Sequence, residues 1–187
     1  MNGKVLAMAV LTGMALPPAA AALRPGDVVS GFTVRSVTEL PEVKGRLVRM
    51  AYEKNGADLA WLDRDDDNMT FAIGFRTFPQ DDTGVAHIIE HSVLCGSEKY
   101  PVKEPFVDLL KSSFATFLNA WTSADSTMYP VCSRNGADFL NLVDVYMDSV
   151  LHPLSVRTPS RSSRRAGTTS WTRRTASCAA TASSTAR

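Results

Sequence analysis

Two histidines, His87 and His91, stand four residues apart in this chain, and Glu90 lies directly before the second one. On an α-helix, residues four apart lie on the same face, one turn from each other. A helix at this position would therefore present both imidazoles together, with the carboxylate beside them. The spacing predicts a short helix that displays three side chains of metal-binding type.

The residues around this motif indicate where the helix begins and ends. Asp81, Asp82 and Thr83 are of the types that cap helix starts, and Gly96 is of the type that follows a helix end. A run with strand character at 69–75 comes shortly before. We expect the apolar side chains of the helix to be available for burial, namely Ile88, Ile89, Val93 and Leu94.

The chemistry of the motif suits zinc. Neutral imidazoles are good zinc ligands, and a carboxylate next to them can take a proton from a zinc-bound water, whose pKa falls to about 7 at catalytic sites. His87 and His91 are therefore candidate metal ligands, and Glu90 is the candidate general base. The order His-x-x-Glu-His is the inverted zinc-peptidase signature. The alternative for so short a motif is a pair of hydrogen-bonded core histidines.

The run from Gly84 to Pro153 resembles the pitrilysin or insulinase type of zinc metallopeptidase, and most closely its presequence protease, falcilysin-like branch. The likeness covers roughly residues 26–153, including the stretches 31–34 and 65–68. It implies an α+β fold in which a mostly antiparallel sheet is layered with helices, the mitochondrial processing peptidase-like metallohydrolase fold, here incomplete. It also implies one zinc ion and the cleavage of short unstructured peptides.

In the peptidases that this chain resembles, an edge strand pairs with the extended substrate. The matching residues here are 117–121, so the resemblance assigns substrate binding to Asn119 and Ala120. Pairing through main-chain groups binds peptides with little regard to their sequence. The alternative is an ordinary buried strand, which would suit Phe117 and Trp121.

Alternating and β-branched residues predict further strands, and an apolar stripe at helical spacing predicts a long helix. Asn55-Gly56 is a strong hairpin turn pattern. The acidic cluster at 63–67 lacks the glycine and glutamate of a calcium loop and predicts a solvated turn. His152, before Pro153, is expected to end the long helix instead of binding zinc. The predicted strands are 32–38, 46–53, 58–62, 69–75, 116–122 and 127–132, and the predicted helices besides the motif helix are 106–112 and 137–151.

Residues 1–22 have the form of an export signal, with Lys4, an apolar run and then alanines. The apolar run is too short to span a membrane, so no span is expected in the mature chain. Export would place the protein in the periplasm or outside the cell. If the leader stays attached, a cytoplasmic or organellar location is expected.

Charge divides the chain near Arg157. Residues 1–156 carry 13 basic and all 19 acidic residues, a net charge of −6, whereas the remainder carries no acid. The region 157–187 is poor in core-forming residues and is expected to be a disordered basic tail. One interpretation is a polyanion-binding tail. The other, which we favour, is a shifted reading frame, because the codons allowed by these residues also permit a family-like continuation in the neighbouring frame.

These observations together predict residues 23–156 to be the amino-terminal part of a zinc peptidase domain. No third zinc ligand is identified; Glu98, Glu104 or Asp125 could substitute, but nothing in the sequence favours one. The carboxy-terminal half that closes over substrate in the resembling enzymes is expected to be missing. We therefore expect peptide substrates, no nucleic-acid partner and little activity. The alternative is a noncatalytic scaffold or binding protein of the same fold.

Overall fold

The computed structural model describes residues 23–102 and 105–154. The predicted leader at 1–22 and the predicted tail at 157–187 lie outside the described residues. The first part of the chain forms a four-stranded antiparallel sheet with strand order β1-β2-β3-β4. Its strands are β1 (Val28–Val29), β2 (Phe32–Leu40), β3 (Gly45–Tyr52) and β4 (Asp58–Arg64).

The hairpin between β3 and β4 forms at the predicted turn. Gly56 has a φ of 71°, in the left-handed region that glycine adopts without steric cost. The side-chain oxygen of Asn55 accepts a hydrogen bond from the amide of Ala57 at 3.0 Å, which closes the turn. One face of this sheet packs a small core of its own, formed by Val34, Val48, Met50 and Trp61.

The second part of the chain forms another antiparallel sheet in which one strand pairs with all the others. Strand order is β5-β8-β6, and β7 also pairs with β8. These strands are β5 (Met69–Arg76), β6 (Ala115–Leu118), β7 (Trp121–Thr122) and β8 (Ser126–Ser133), and the helices are α1 (Val85–Val93), α2 (Pro105–Ser112) and α3 (Gly136–Leu151).

The main core lies between the second sheet and α3. Phe139, Leu142 and Tyr146 of α3 are fully buried and belong to one apolar cluster with residues of β5 and β8. Asn135 caps the helix, since its side-chain oxygen accepts from the amides of Ala137 and Asp138 at 3.0 and 3.1 Å. Burial of this helix face removes apolar surface from water and so stabilises the packing of α3 on the second sheet.

The predicted α+β class is confirmed, with antiparallel sheets and helices in the expected order. Two expectations need correction. The described strands form two sheets instead of one, and the strand predicted at 116–122 is broken between Leu118 and Trp121. The break occurs because the amide of Ala120 bonds to the side-chain oxygen of Asn119 at 2.9 Å and not to a neighbouring strand.

The acidic segment after β4 forms a bend, as predicted. The side chain of Asp66 accepts from the amide of Asn68 at 3.0 Å and lies 3.4 Å from the guanidinium of Arg64. Asp63 pairs with Arg46 across the β3–β4 ladder at 2.8 Å. The contacts of Asp66 are those of a turn held by local interactions, whereas the Asp63 pair belongs to the sheet.

Within the part of the chain that the structure describes, none of the helices is long and apolar enough to cross a membrane.

Candidate metal and catalytic site

Helix α1 brings the two histidines of the motif together. The Nε2 atoms of His87 and His91 lie 3.1 Å apart, and their ring centroids are 4.8 Å apart. His87 is largely open to solvent, with 66% of its side chain exposed. Both imidazoles therefore direct the same nitrogen toward one accessible point.

The start of α1 differs from the expectation. The N-cap position is Gly84, in the left-handed region with a φ of 67°, and no side chain caps the helix. Asp81 instead bonds to the amide and hydroxyl of Thr83, which closes a turn before the helix. The polar side chains at 81–83 were predicted as helix caps, but Asp81 bonds to Thr83 and no side chain caps the first amides of α1.

The buried face of α1 also differs from the prediction. Ile88 and Ile89 are 40% and 46% exposed, whereas Glu90 is only 3% exposed and Val93 is buried. The helix packs with its Glu90 and Val93 side toward β7 and β8. Ile88 lies two residues from Glu90 and so projects from nearly the opposite side. The helix buries its acid and displays its isoleucines.

A threonine on β7 supplies the hydrogen bond that the buried Glu90 carboxylate needs. The Thr122 hydroxyl donates to Oε2 of Glu90 at 2.7 Å, and the same oxygen lies 4.0 Å from Nε2 of His87. Burial raises the pKa of the Tyr129 phenol, and the negative charge of Glu90 raises it further. A buried carboxylate, a neutral phenol and two imidazoles, one exposed and one half-buried, thus lie in one small region.

Two further threonines continue the contact. The Thr122 hydroxyl lies 3.3 Å from the hydroxyl of Thr127, which in turn lies 2.9 Å from that of Thr77. Thr122 comes from β7 and Thr127 from β8, and Thr77 directly follows β5. None of the three is recognisable as a site residue from the sequence, because threonines in strands are common and their meeting depends on strand pairing.

The histidine pair has the spacing that a tetrahedral zinc ion requires. Two nitrogens each about 2.0–2.1 Å from zinc at a tetrahedral angle are separated by about 3.3 Å, close to the 3.1 Å here. Among residues 23–102 and 105–154, no group of three His, Cys, Asp or Glu side chains is placed to hold a metal ion. The donors that fit are therefore two imidazoles.

The two described residues that could have completed the ligand set, Glu98 and Asp125, do not form a group of three donors with the histidines. The Glu98 amide bonds to the carbonyl of His152 at 3.1 Å, and Asp125 accepts from the hydroxyl of Ser126 in an exposed turn. Glu104 is outside the described residues. His152 caps the end of α3 and lies 3.1 Å from the carboxylate of Asp148, as expected for a helix-end residue.

The segment predicted to bind substrate lies at the rim of the second sheet. Strand β6 pairs with β8 on one side, and no strand among the described residues pairs with its other side. Phe117 and Trp121 are 45% and 41% exposed, so the alternative of a buried strand does not hold. Two hydrogen bonds fix the backbone of Asn119. Its amide donates to the carbonyl of Pro130 at 3.2 Å, and its carbonyl accepts from the Tyr146 hydroxyl at 3.3 Å.

Several relatives with curated descriptions are similar to this chain. "Protein HypA" of Clostridium perfringens is 55% identical over 127 residues, 68% of this chain and 13% of that protein. The mitochondrial presequence protease of Gibberella zeae is 47% identical over 131 residues, 70% of this chain and 13% of that protein. The chloroplastic/mitochondrial presequence protease 1 of Arabidopsis thaliana is 52% identical over 126 residues, 67% and 12% of the two chains.

A solved structure agrees on the fold. The crystal structure of pitrilysin superposes with a TM-score of 0.58 at 21% identity, over 68% of this chain and 14% of that one. The chain spans about an eighth of the length of the curated relatives that it matches.

The model of the insulinase family, peptidase family M16, matches residues 68–168, more than half of the chain. This chain therefore belongs to the insulinase family of peptidases.

Proposed function

We propose that this chain carries two histidine ligands and the general base of a zinc-dependent metallopeptidase site. The observation that carries the proposal is the 3.1 Å separation of the His87 and His91 Nε2 atoms, with the buried carboxylate of Glu90 beside them. Zinc, when bound, supplies Lewis acidity that polarises a carbonyl and lowers the pKa of water to about 7.

The side chains of the motif would then have separate tasks. His87 and His91 would hold the metal as neutral imidazoles through their Nε2 atoms. Glu90 accepts a proton from the attacking water and returns it to the leaving amine, which is the work of a general base and then a general acid. Its low exposure protects this carboxylate from competing solvent, while Thr122 keeps one oxygen hydrogen-bonded.

The substrate class that we propose is a short unstructured peptide. Such a peptide can add as a strand to the open side of β6. Asn119 and Ala120 follow β6 directly in the chain and precede β7, the strand that packs against α1. The exposed rings of Phe117 and Trp121 offer apolar contacts to its side chains. Relatives at 47–52% identity bear the name presequence protease, which agrees with a peptide substrate.

We further propose that the chain in isolation binds zinc through two ligands and has little peptidase activity. Catalytic zinc sites use three protein ligands and an open position, and the described residues provide two imidazoles without a third donor. A two-ligand site holds the metal more weakly and leaves its geometry less defined.

Zinc binding to single-histidine variants tests the ligand assignment. We expect one zinc ion per wild-type chain, and a loss of affinity of at least about tenfold in His87→Ala and in His91→Ala. His152→Ala is the matched control, because His152 is the only other histidine in the sequence and should leave binding unchanged. Wild-type affinity in His87→Ala, or a loss in His152→Ala, would show that the assignment is wrong.

Peptide cleavage tests the role of Glu90. With zinc added, the wild-type chain should cleave an unstructured peptide slowly, and a chelator should stop it. Glu90→Gln should bind zinc like the wild type yet fall to the background of free zinc. Equal cleavage by Glu90→Gln and wild type contradicts the general-base assignment, whereas bound zinc without cleavage in either chain limits the proposal to metal binding.

A further inference from the structure

We infer that Thr122 is a positioning residue for Glu90, an inference that rests on the proposed function. Glu90 comes from α1 and Thr122 from β7, and the 2.7 Å bond between them joins the helix to the sheet at the carboxylate itself. A buried carboxylate without a donor is costly, so this bond strongly favours one orientation of the side chain. The general base is thereby fixed before any substrate arrives.

The direction of the hydroxyl contacts follows from counting protons. A threonine hydroxyl has one proton to donate, and that of Thr122 goes to Glu90. The contact of 3.3 Å between Thr122 and Thr127 therefore needs Thr127 as the donor, and the contact of 2.9 Å between Thr127 and Thr77 needs Thr77 as the donor. All three hydroxyl groups point their protons toward the carboxylate.

The three hydroxyl groups do more than fill space beside Glu90, because together they orient its carboxylate. Each donor in a hydrogen-bonded chain polarises the next one, so Thr77 and Thr127 strengthen the bond that Thr122 makes. Thr127 is buried, and the backbone amide of Thr77 is held by the carbonyl of Asp125 at 2.9 Å. Thr77 and Thr127 are thus fixed to the sheet, and the hydrogen bond from Thr122 holds the Glu90 carboxylate in a fixed place relative to them.

The test uses the 187-residue chain without zinc, labelled with ¹³C at the glutamate carboxyl carbons. The sequence contains six glutamates, and the signal of Glu90 is identified by its disappearance in Glu90→Gln. In Thr122→Val, which keeps the shape and removes the hydroxyl, we expect the Glu90 signal to shift at constant pH. In Thr122→Ser, which keeps the hydroxyl, we expect it to return toward its wild-type position.

Thr116→Val is the matched control for these spectra. The Thr116 hydroxyl of β6 donates to the side chain of Asn68, the residue before β5, at 2.6 Å and not to Glu90. Its replacement should leave the Glu90 signal in place. The inference is overturned if Thr122→Val leaves that signal unmoved, or if Thr122→Ser shifts it as far as Thr122→Val does.

The outcome is independent of the proposed peptidase activity, because the spectra need neither zinc nor substrate. Failure of zinc binding in the histidine experiments would overturn the proposed function while the Thr122 spectra still decided whether the hydroxyl holds Glu90. A normal zinc site with an unmoved Glu90 signal would overturn the positioning inference alone.

Discussion

Helices α1 and α3 pack against the same sheet, yet they satisfy different demands. Helix α3 has 16 residues, a side-chain cap from Asn135 and a buried face rich in apolar side chains. Helix α1 has nine residues, a left-handed glycine at its start and no side-chain cap, and its buried residues are Glu90, Ser92 and Val93. Helix α1 carries the histidines and the glutamate of the motif, whereas α3 packs the apolar core against the sheet.

The difference teaches where the stability of α1 comes from. A helix of nine residues is marginal by itself, and a buried carboxylate adds a cost that only hydrogen bonding offsets. Because α1 lacks a cap and exposes Ile88 and Ile89, it depends on contacts with β7 and β8, the Thr122 bond among them. We infer that α1 is stable only in the presence of the sheet that α3 supports.

The largest effect should come from the core of α3. Phe139 is fully buried, so Phe139→Ala should lower the free energy of unfolding by about 3–5 kcal/mol through lost burial and the cavity that remains. Leu140→Ala is the control, since the neighbouring Leu140 is mostly exposed and should change stability by less than about 1 kcal/mol. Urea denaturation measures both, and equal effects would contradict the assigned faces.

The caps should give the next largest difference. Asn135→Ala removes the oxygen that bonds two amides of α3 and should cost about 1 kcal/mol. Thr83→Ala, at the start of α1, should cost less than about 0.5 kcal/mol because Thr83 does not cap its helix. The same denaturation experiment compares them. A larger loss of stability in Thr83→Ala than in Asn135→Ala would indicate that Thr83 caps α1 after all, as the sequence predicted.

Acid should weaken the tie between α3 and the segment that follows α1. The ammonium of Lys99 and then the hydroxyl of Tyr100 donate to Asp144 and lower the pKa of its carboxyl from the ordinary 3.8. A lowered folded-state pKa means that this stabilisation is present above about pH 4 and is lost as pH falls through the lowered value.

Asp144→Asn should therefore destabilise the chain modestly at neutral pH, since Asp144 is half exposed, and the difference from wild type should vanish in acid. Stability measured against pH for both chains tests this. A difference that grows below pH 4 would contradict the assigned sign.

The smallest effect should come from the exposed face of α1. Ile88→Ser should change the free energy of unfolding by only about 0.5 kcal/mol, since 40% of the residue is already exposed to solvent and it lies on the face of α1 away from the sheet. Val93→Ala on the buried face is the comparison and should cost more, about 1–2 kcal/mol. A loss of that size in Ile88→Ser would mean that α1 is packed differently from the structure.

Local patterns predicted most of the elements, and the reasons are visible in particular residues. Asn55-Gly56 specified its turn because only certain residues tolerate a positive φ there. The apolar stripe of α3 predicted a helix at 137–151, and the observed helix ends at the same residue and begins one residue earlier. Errors fell where two local choices compete, as at Asn119, whose side chain bonds the next amide and interrupts the strand.

By itself, the sequence determined that His87, Glu90 and His91 lie together on a helix, because a spacing of three and four residues is a local property of the α-helix. Only the tertiary structure decided that α1 buries Glu90 and exposes its isoleucines. It alone also decided that Glu90 meets Thr122, 32 residues further along the chain. Burial and long-range hydrogen bonds depend on which surfaces pack together, and no local spacing contains that information.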